Sequence, residues 1–153
     1  MKAIILTYAP VSDFEREILL HTKIFKLALN QHAESLNPNA RIITDYILSD
    51  ILKKCSEKII SIREKLRCFS PRVEYPQIEF KGSTIIAGIE YLIANKYTEI
   101  LIVGDNKVNS KQFQDNVNFH IDRITPRVNI YQYSKGNFNL RIKSIKDFIE
   151  KII

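Results

Sequence analysis

Two short polar segments hold the residue types best suited to chemistry, Lys81-Gly82-Ser83-Thr84 and Gly104-Asp105-Asn106. A pair of hydroxyls at a helix start can hold phosphate, because first-turn N–H groups lack intrahelical partners and the helix dipole favours an anion there. Lys81 would add positive charge to such a site. A carboxylate and an amide just past a glycine, at the carboxyl end of a strand, stand where open α/β sheets take their ligands. The elements between the two segments support this placement. From Ser83 onward Ile86, Ile89, Ile93 and Tyr97 recur at helical spacing, and Ile100-Leu101-Ile102-Val103 runs apolar without alternation, as a strand covered on both faces does. Gly82 to Thr84 and Gly104 to Asn106 are therefore expected to line one shared pocket.

Other candidates stand further off. His120 has the chemistry of a general base, with an unperturbed pKa near 6.5, although a lone loop histidine is also an ordinary surface residue. Asp45 and Asp50 flank the exit of an expected strand and could meet a divalent cation with Asp105 only if the fold gathers all three. Ser83 and Thr84 also fit a plain N-cap pair, and Asp105 fits a side chain bonded to its own loop. Tyr131 and Tyr133 share one face of a strand, where cross-strand packing accounts for them.

The elements that must position these groups alternate. Ala3 to Tyr8 reads as a first strand broken by Pro10, and Ser12 with Glu15 has capping-box spacing for a helix from about residue 13 to 21. Ile24 to Asn30 is open between a strand and the continuation of one long amphipathic helix. Arg41 to Thr44 reads as a strand entering Asp45, Tyr46 to Cys55 as a short helix, and Lys58 to Arg63 as a further strand. Ser70-Pro71 and Tyr75-Pro76 mark an irregular link, since each proline removes a backbone donor and restricts its predecessor. Residues 106–126 are polar and rich in Asn, Lys and Gln, and are expected to form a mobile loop or small lid. Val128 to Tyr133 alternates as a late strand, and Ile145, Ile149 and Ile152 share a face of a closing helix. Strands interleaved with helices predict one domain over residues 1–153, a three-layer α/β/α sandwich on a mainly parallel, Rossmann-like sheet.

Composition narrows the partners. With 153 residues and 45% hydrophobic content the chain is long enough for one domain with a core. Apolar runs of about four residues fall far short of the roughly 20 that span a bilayer, and a cytoplasmic location is expected. Cys55 and Cys68 lack the spacing of a zinc site and read as two reduced thiols. Lys and Arg total 23 against 17 Asp and Glu, a formal charge of +6, so the field favours anions. Nucleic acid remains open on charge alone, since there is no RNP-type aromatic motif, GXXG loop or zinc knuckle.

The order of these elements and the polar residues at their ends carry a resemblance. Pro10 and Ser12 follow the first strand, Leu29-Asn30-Gln31 ends a second, Gly82-Ser83-Thr84 opens a helix, Gly104-Asp105 follows the next strand, and Val128-Asn129-Ile130-Tyr131 with Ser134 lies near the end. In this the chain resembles the Rossmann-like core of bacterial family 42 sialyltransferases and of the MptE-like pterin diphosphokinase and flagellin-glycosylation accessory proteins. The resemblance implies a nucleotide or nucleotide-sugar at the strand ends, contacted by Asn30, Ser83 and Thr84, and it favours a strand for residues 24–30. It also implies a transferase, with His120 as the candidate for its catalytic histidine, while Asp105 is a candidate catalytic residue by its place at the carboxyl end of a strand; the turn Thr7-Tyr8-Ala9-Pro10, however, has no glycine. The rival reading is a nonenzymatic binding module whose basic face meets an acidic partner or RNA.

Overall fold

A computed structural model describes residues 1–7, 11–30, 36–44, 56–62, 72–104, 111–133 and 138–150. Eight strands form one sheet in which every pair is parallel: β1 (Lys2–Leu6), β2 (Phe25–Leu29), β3 (Ala40–Ile43), β4 (Lys58–Ser61), β5 (Val73–Glu74), β6 (Glu99–Val103), β7 (Asn129–Gln132) and β8 (Arg141–Ile142). Their order across the sheet is β5-β4-β3-β2-β1-β6-β7-β8. The chain thus builds outward from β1 in one direction, then returns through β6 to build in the other. Such a reversal leaves a crevice beyond the carboxyl ends of the strands that flank it.

Four helices among the described residues cover both faces: α1 (Asp13–His21), α2 (Thr84–Ala94), α3 (Lys111–Ile124) and α4 (Ile145–Ile149). Leu19 of α1 with Ile145 and Phe148 of α4 pack over Ile4, Leu6, Leu101 and Val103. On the opposite face α2 and α3 bury Ile86, Ile89, Leu92, Val117 and Ile121 against Ile5, Leu27, Ile42 and Ile102. Parallel strands bear helices on both faces and must be apolar on both, which is why β1 and β6 read as unbroken apolar runs. The expected three-layer α/β/α sandwich is the observed one. Leu6, Ile43, Ile60, Leu101 and Ile102 are fully buried within its sheet.

Residues 25–29 settle as strand β2, paired to β1 and β3. The run contains Lys26, which is buried on the α1 face and donates from Nζ to the carbonyls of Leu19, at 2.6 Å, and Leu36, at 3.1 Å. Burial pushes its ammonium below the ordinary lysine pKa.

One expectation needs correction. Of the stretch 106–126, expected as a mobile loop or small lid, residues 111–124 form helix α3 and not a loop, with Val117, Ile121 and Ile124 buried, and residues 106–110 lie outside the described residues. Three apolar positions on one narrow stripe suffice to dock a helix whose remaining faces are polar. The two-residue strands β5 and β8 extend the sheet at each edge beyond what the apolar pattern predicts. The expected helix at 46–55 lies outside the described residues.

Candidate functional site

At the carboxyl edge, the chain leaves β2 through Asn30, whose φ of 49° places it in the left-handed region. Asparagine tolerates this conformation better than most residues because its short polar side chain bonds locally. Here the turn breaks the in–out alternation of the strand and sends the amide toward α2. Asn30 Nδ2 donates to Thr84 Oγ1 at 3.2 Å, while its Oδ1 accepts from the Thr44 N–H at 3.2 Å. The Thr44 and Thr84 hydroxyls lie 2.7 Å apart and share a hydrogen bond. The ends of β2 and β3 are thereby tied to the first residue of α2.

Behind this cluster stands Arg41, a fully buried residue of β3. Its Nε donates to Glu57 at 2.6 Å and its NH1 donates to the Asn30 carbonyl at 2.6 Å. The guanidinium therefore fixes the strained turn from beneath while Thr44 and Thr84 hold it from above.

Ser83 is the N-cap of α2, with extended backbone (φ −146°, ψ 133°), but its side chain makes no capping bond. The residue is 3% exposed and its Oγ has no hydrogen-bond partner among the described residues. No acidic residue occupies the first turn of α2. The start of α1 differs on every count. Ser12 Oγ accepts from the Glu15 N–H at 3.2 Å, Glu15 Oε1 accepts from the Ser12 N–H at 3.1 Å, and Asp13 and Glu15 place negative charge in the first turn. An anion is repelled at α1 and attracted at α2. Of the two helix starts, the one at Ser83 has capacity to spare.

The other candidates fall at varying distances from this cluster. Gly82, with φ +87°, makes the turn into α2, and a side chain there would lie 3.6 Å from Asn116 of α3. Gly104 is buried and ends β6 with φ +125°, a conformation that favours glycine. It lies two strand positions from β2, about 10 Å across the sheet. Asp105 and Asn106 lie outside the described residues, as do Asp45 and Asp50. Among the described residues no group of acids, histidines or cysteines could hold a metal.

Lys81 is placed differently from expectation. Its Nζ meets Glu90 at 2.5 Å, a partner six residues past Thr84 and so roughly 9 Å along the helix axis. The half-buried Glu90 takes the nearest available cation, and the pair lines a cleft of about 390 Å³ on the flank of α2 with Ile78, Ile93 and Arg127. Lys81 adds no charge to the helix start. His120 lies nine residues past the start of α3, roughly 13 Å along its axis, where its ring packs edge-on to Phe119. It stands one turn past Asn116, which faces Gly82, and no hydrogen bond among the described residues ties it to the cluster.

Two participants were not singled out by the sequence, Thr44 and Arg41. Thr44 carried a signal, a hydroxyl at the mouth of an apolar strand; a buried arginine inside Ala40-Arg41-Ile42-Ile43 carried none. No helix among the described residues is long and apolar enough to cross a membrane. Comparison with protein-family models, with curated proteins and with solved structures finds no match to this chain.

Proposed function

We propose that this chain binds a nucleotide or nucleotide-sugar at the carboxyl edge of its sheet, with phosphate seated at the start of α2. The observation that carries this reading is the buried, unbonded hydroxyl of Ser83 at a helix N-cap with no acid in its first turn. A phosphate there accepts from that hydroxyl and from first-turn N–H groups, bonds strengthened by the ligand's charge. Asn30 and Thr44 supply an amide and a hydroxyl already held in place, so little ordering is needed on binding. Transfer of the activated group, in the manner of a glycosyltransferase, is the activity such a ligand supports, with Asp105 as its candidate carboxylate. The scheme gives no role to His120, whose ring packs against Phe119.

Calorimetry with CMP, UDP, GDP and their sugar conjugates, with and without Mg²⁺, tests the reading. Wild type is expected to bind at least one, and Ser83→Ala to weaken that binding by about 10- to 100-fold, the range for losing one hydrogen bond to a charged group. Circular dichroism checks that the variant is folded. Equal affinity in wild type and variant would place the phosphate elsewhere. Failure of wild type to bind any of them would favour the nonenzymatic module with a basic face for an acidic partner.

A further inference from the structure

The Tyr133 hydroxyl, just past β7, donates to Glu15 Oε1 of α1 at 2.6 Å, joining residues 118 apart in sequence. Because β6 lies between β1 and β7, this bond passes beside the end of β6, at the reversal point of the sheet. It does so on the face covered by α1 and α4, opposite the α2 face that bears Ser83.

The donors around Glu15 are unevenly shared. Ser12 N–H at 3.1 Å, Ser12 Oγ at 2.8 Å and Tyr133 Oη at 2.6 Å all fall on Oε1. Oε2 has no hydrogen-bond partner among the described residues. A capping box uses one oxygen of its glutamate and explains Oε1; it does not explain a tyrosine brought from the other side of β6, and the second oxygen of the partly exposed side chain is left open to solvent or a ligand. Burial alone would raise the Glu15 pKa, but the bonds from Tyr133 and Ser12 outweigh it and hold the carboxyl below its ordinary value. The group is therefore a fixed carboxylate, able only to accept.

We infer that Glu15 Oε2, oriented by Tyr133 and Ser12, is a hydroxyl-reading subsite for the same ligand, accepting hydrogen bonds from vicinal hydroxyls of a ribose or an attached sugar. This rests on the nucleotide reading above. An ionised carboxylate repels phosphate and rewards neutral donors, so the two ends of the crevice select opposite ends of one molecule. From the end of β2 to that of β6 is two strand spacings, about 10 Å along the sheet, and because Ser83 and Glu15 stand on opposite faces the ligand must also cross over the carboxyl edge between them.

Glu15→Gln separates this role from capping. Gln serves a capping box as well as Glu, so α1 keeps its start. With three donors converging on one atom, the amide oxygen must take the Oε1 position, which puts an NH₂ group where Oε2 stood. An acceptor becomes a donor there with little change in shape. Calorimetry is run on wild type, Glu15→Gln and Ser83→Ala with pyrophosphate, UDP, 2′-deoxy-UDP and UDP-glucose, the base being exchanged for whichever the nucleotide panel favours.

Glu15→Gln is expected to weaken UDP-glucose at least tenfold, leave pyrophosphate unchanged, and melt within about 3 °C of wild type. A loss already present with UDP and absent with 2′-deoxy-UDP assigns the contact to the ribose; a loss confined to UDP-glucose assigns it to the sugar. Either supports the inference. Equal affinity of Glu15→Gln and wild type for all four ligands overturns it, while a loss in Ser83→Ala keeps the phosphate reading standing. No binding of any of the four to wild type overturns both. If Glu15→Gln fails to fold, wild type decides alone: UDP-2-deoxyglucose and 2′-deoxy-UDP must between them show a loss of at least fivefold, and unchanged affinity for both overturns the subsite.

Discussion

Ser83→Ala removes a hydroxyl that is buried and without a hydrogen-bond partner among the described residues, and the sign of its effect on stability tests whether that hydroxyl is held for a ligand. An N-cap serine that bonds a first-turn N–H loses about 1 kcal/mol when replaced by alanine. Ser83 makes no such bond, so that loss does not arise. A buried hydroxyl without a partner instead carries a desolvation cost of about 1–3 kcal/mol, which alanine relieves. The backbone at Ser83, φ −146° and ψ 133°, is ordinary extended geometry that alanine adopts freely. The ligand-free variant is therefore expected to gain about 1 kcal/mol, or about 2–4 °C in Tm for a chain of this size. Urea unfolding followed by circular dichroism, with thermal melts beside it, measures the difference. With a saturating nucleotide the order should reverse, because wild type gains more from mass action. A ligand-free loss of 0.5 kcal/mol or more, on the scale of an ordinary cap, would mean that Ser83 caps α2 in solution, and the argument for a spare helix start would fail.

Glu57→Ala leaves the Arg41 guanidinium, fully buried, without the carboxylate 2.6 Å from its Nε, and should cost about 3 kcal/mol in urea unfolding; a cost below 1 kcal/mol would show that other groups neutralise it. Leu101→Ala, in the fully buried middle of β6, should cost about 3 kcal/mol, whereas Ile142→Ala, 59% exposed on the edge strand β8, should stay within about 0.5 kcal/mol; similar effects at both would contradict the sheet order. Tyr133→Phe should cost about 1 kcal/mol near pH 7, a figure reduced for partial exposure, and the cost should depend on pH. Glu15 is held below its ordinary value of 4.5, so its share is present above that pH and lost as pH falls through the folded value; Tyr133 is pushed up to about 12, so its share is present below about 10 and lost as pH rises toward 12. Melts of wild type and variant from pH 3 to pH 11 should be furthest apart between about pH 5 and 10, and a constant gap across that range would exclude the bond.

The sequence discloses elements where the physics is local and withholds groupings where it is not. Ser12 and Glu15 announce α1 because a capping box closes within four residues, and β6 is legible because a strand buried on both faces has no polar position to confuse it. Helix α3 is obscured because only Val117, Ile121 and Ile124 bury along fourteen residues, so composition outweighs period in a reading by eye. The seating of Lys81 on Glu90 and the meeting of Tyr133 with Glu15 depend on which elements the sheet order brings side by side, which no spacing encodes. Yet the contrast between the two helix starts was present in the sequence. Both begin with serine, but three residues on stands Glu15 in one and Ile86 in the other. Only a Glu or Gln at that position can reach back to close the box, and an acid there also spends the dipole. Ser83-Thr84-Ile85-Ile86 therefore specifies a helix start that its own first turn leaves open, and the tie of Asn30 and Thr44 to Thr84 then fixes that opening at the carboxyl ends of β2 and β3, beside the reversal of the sheet between β1 and β6.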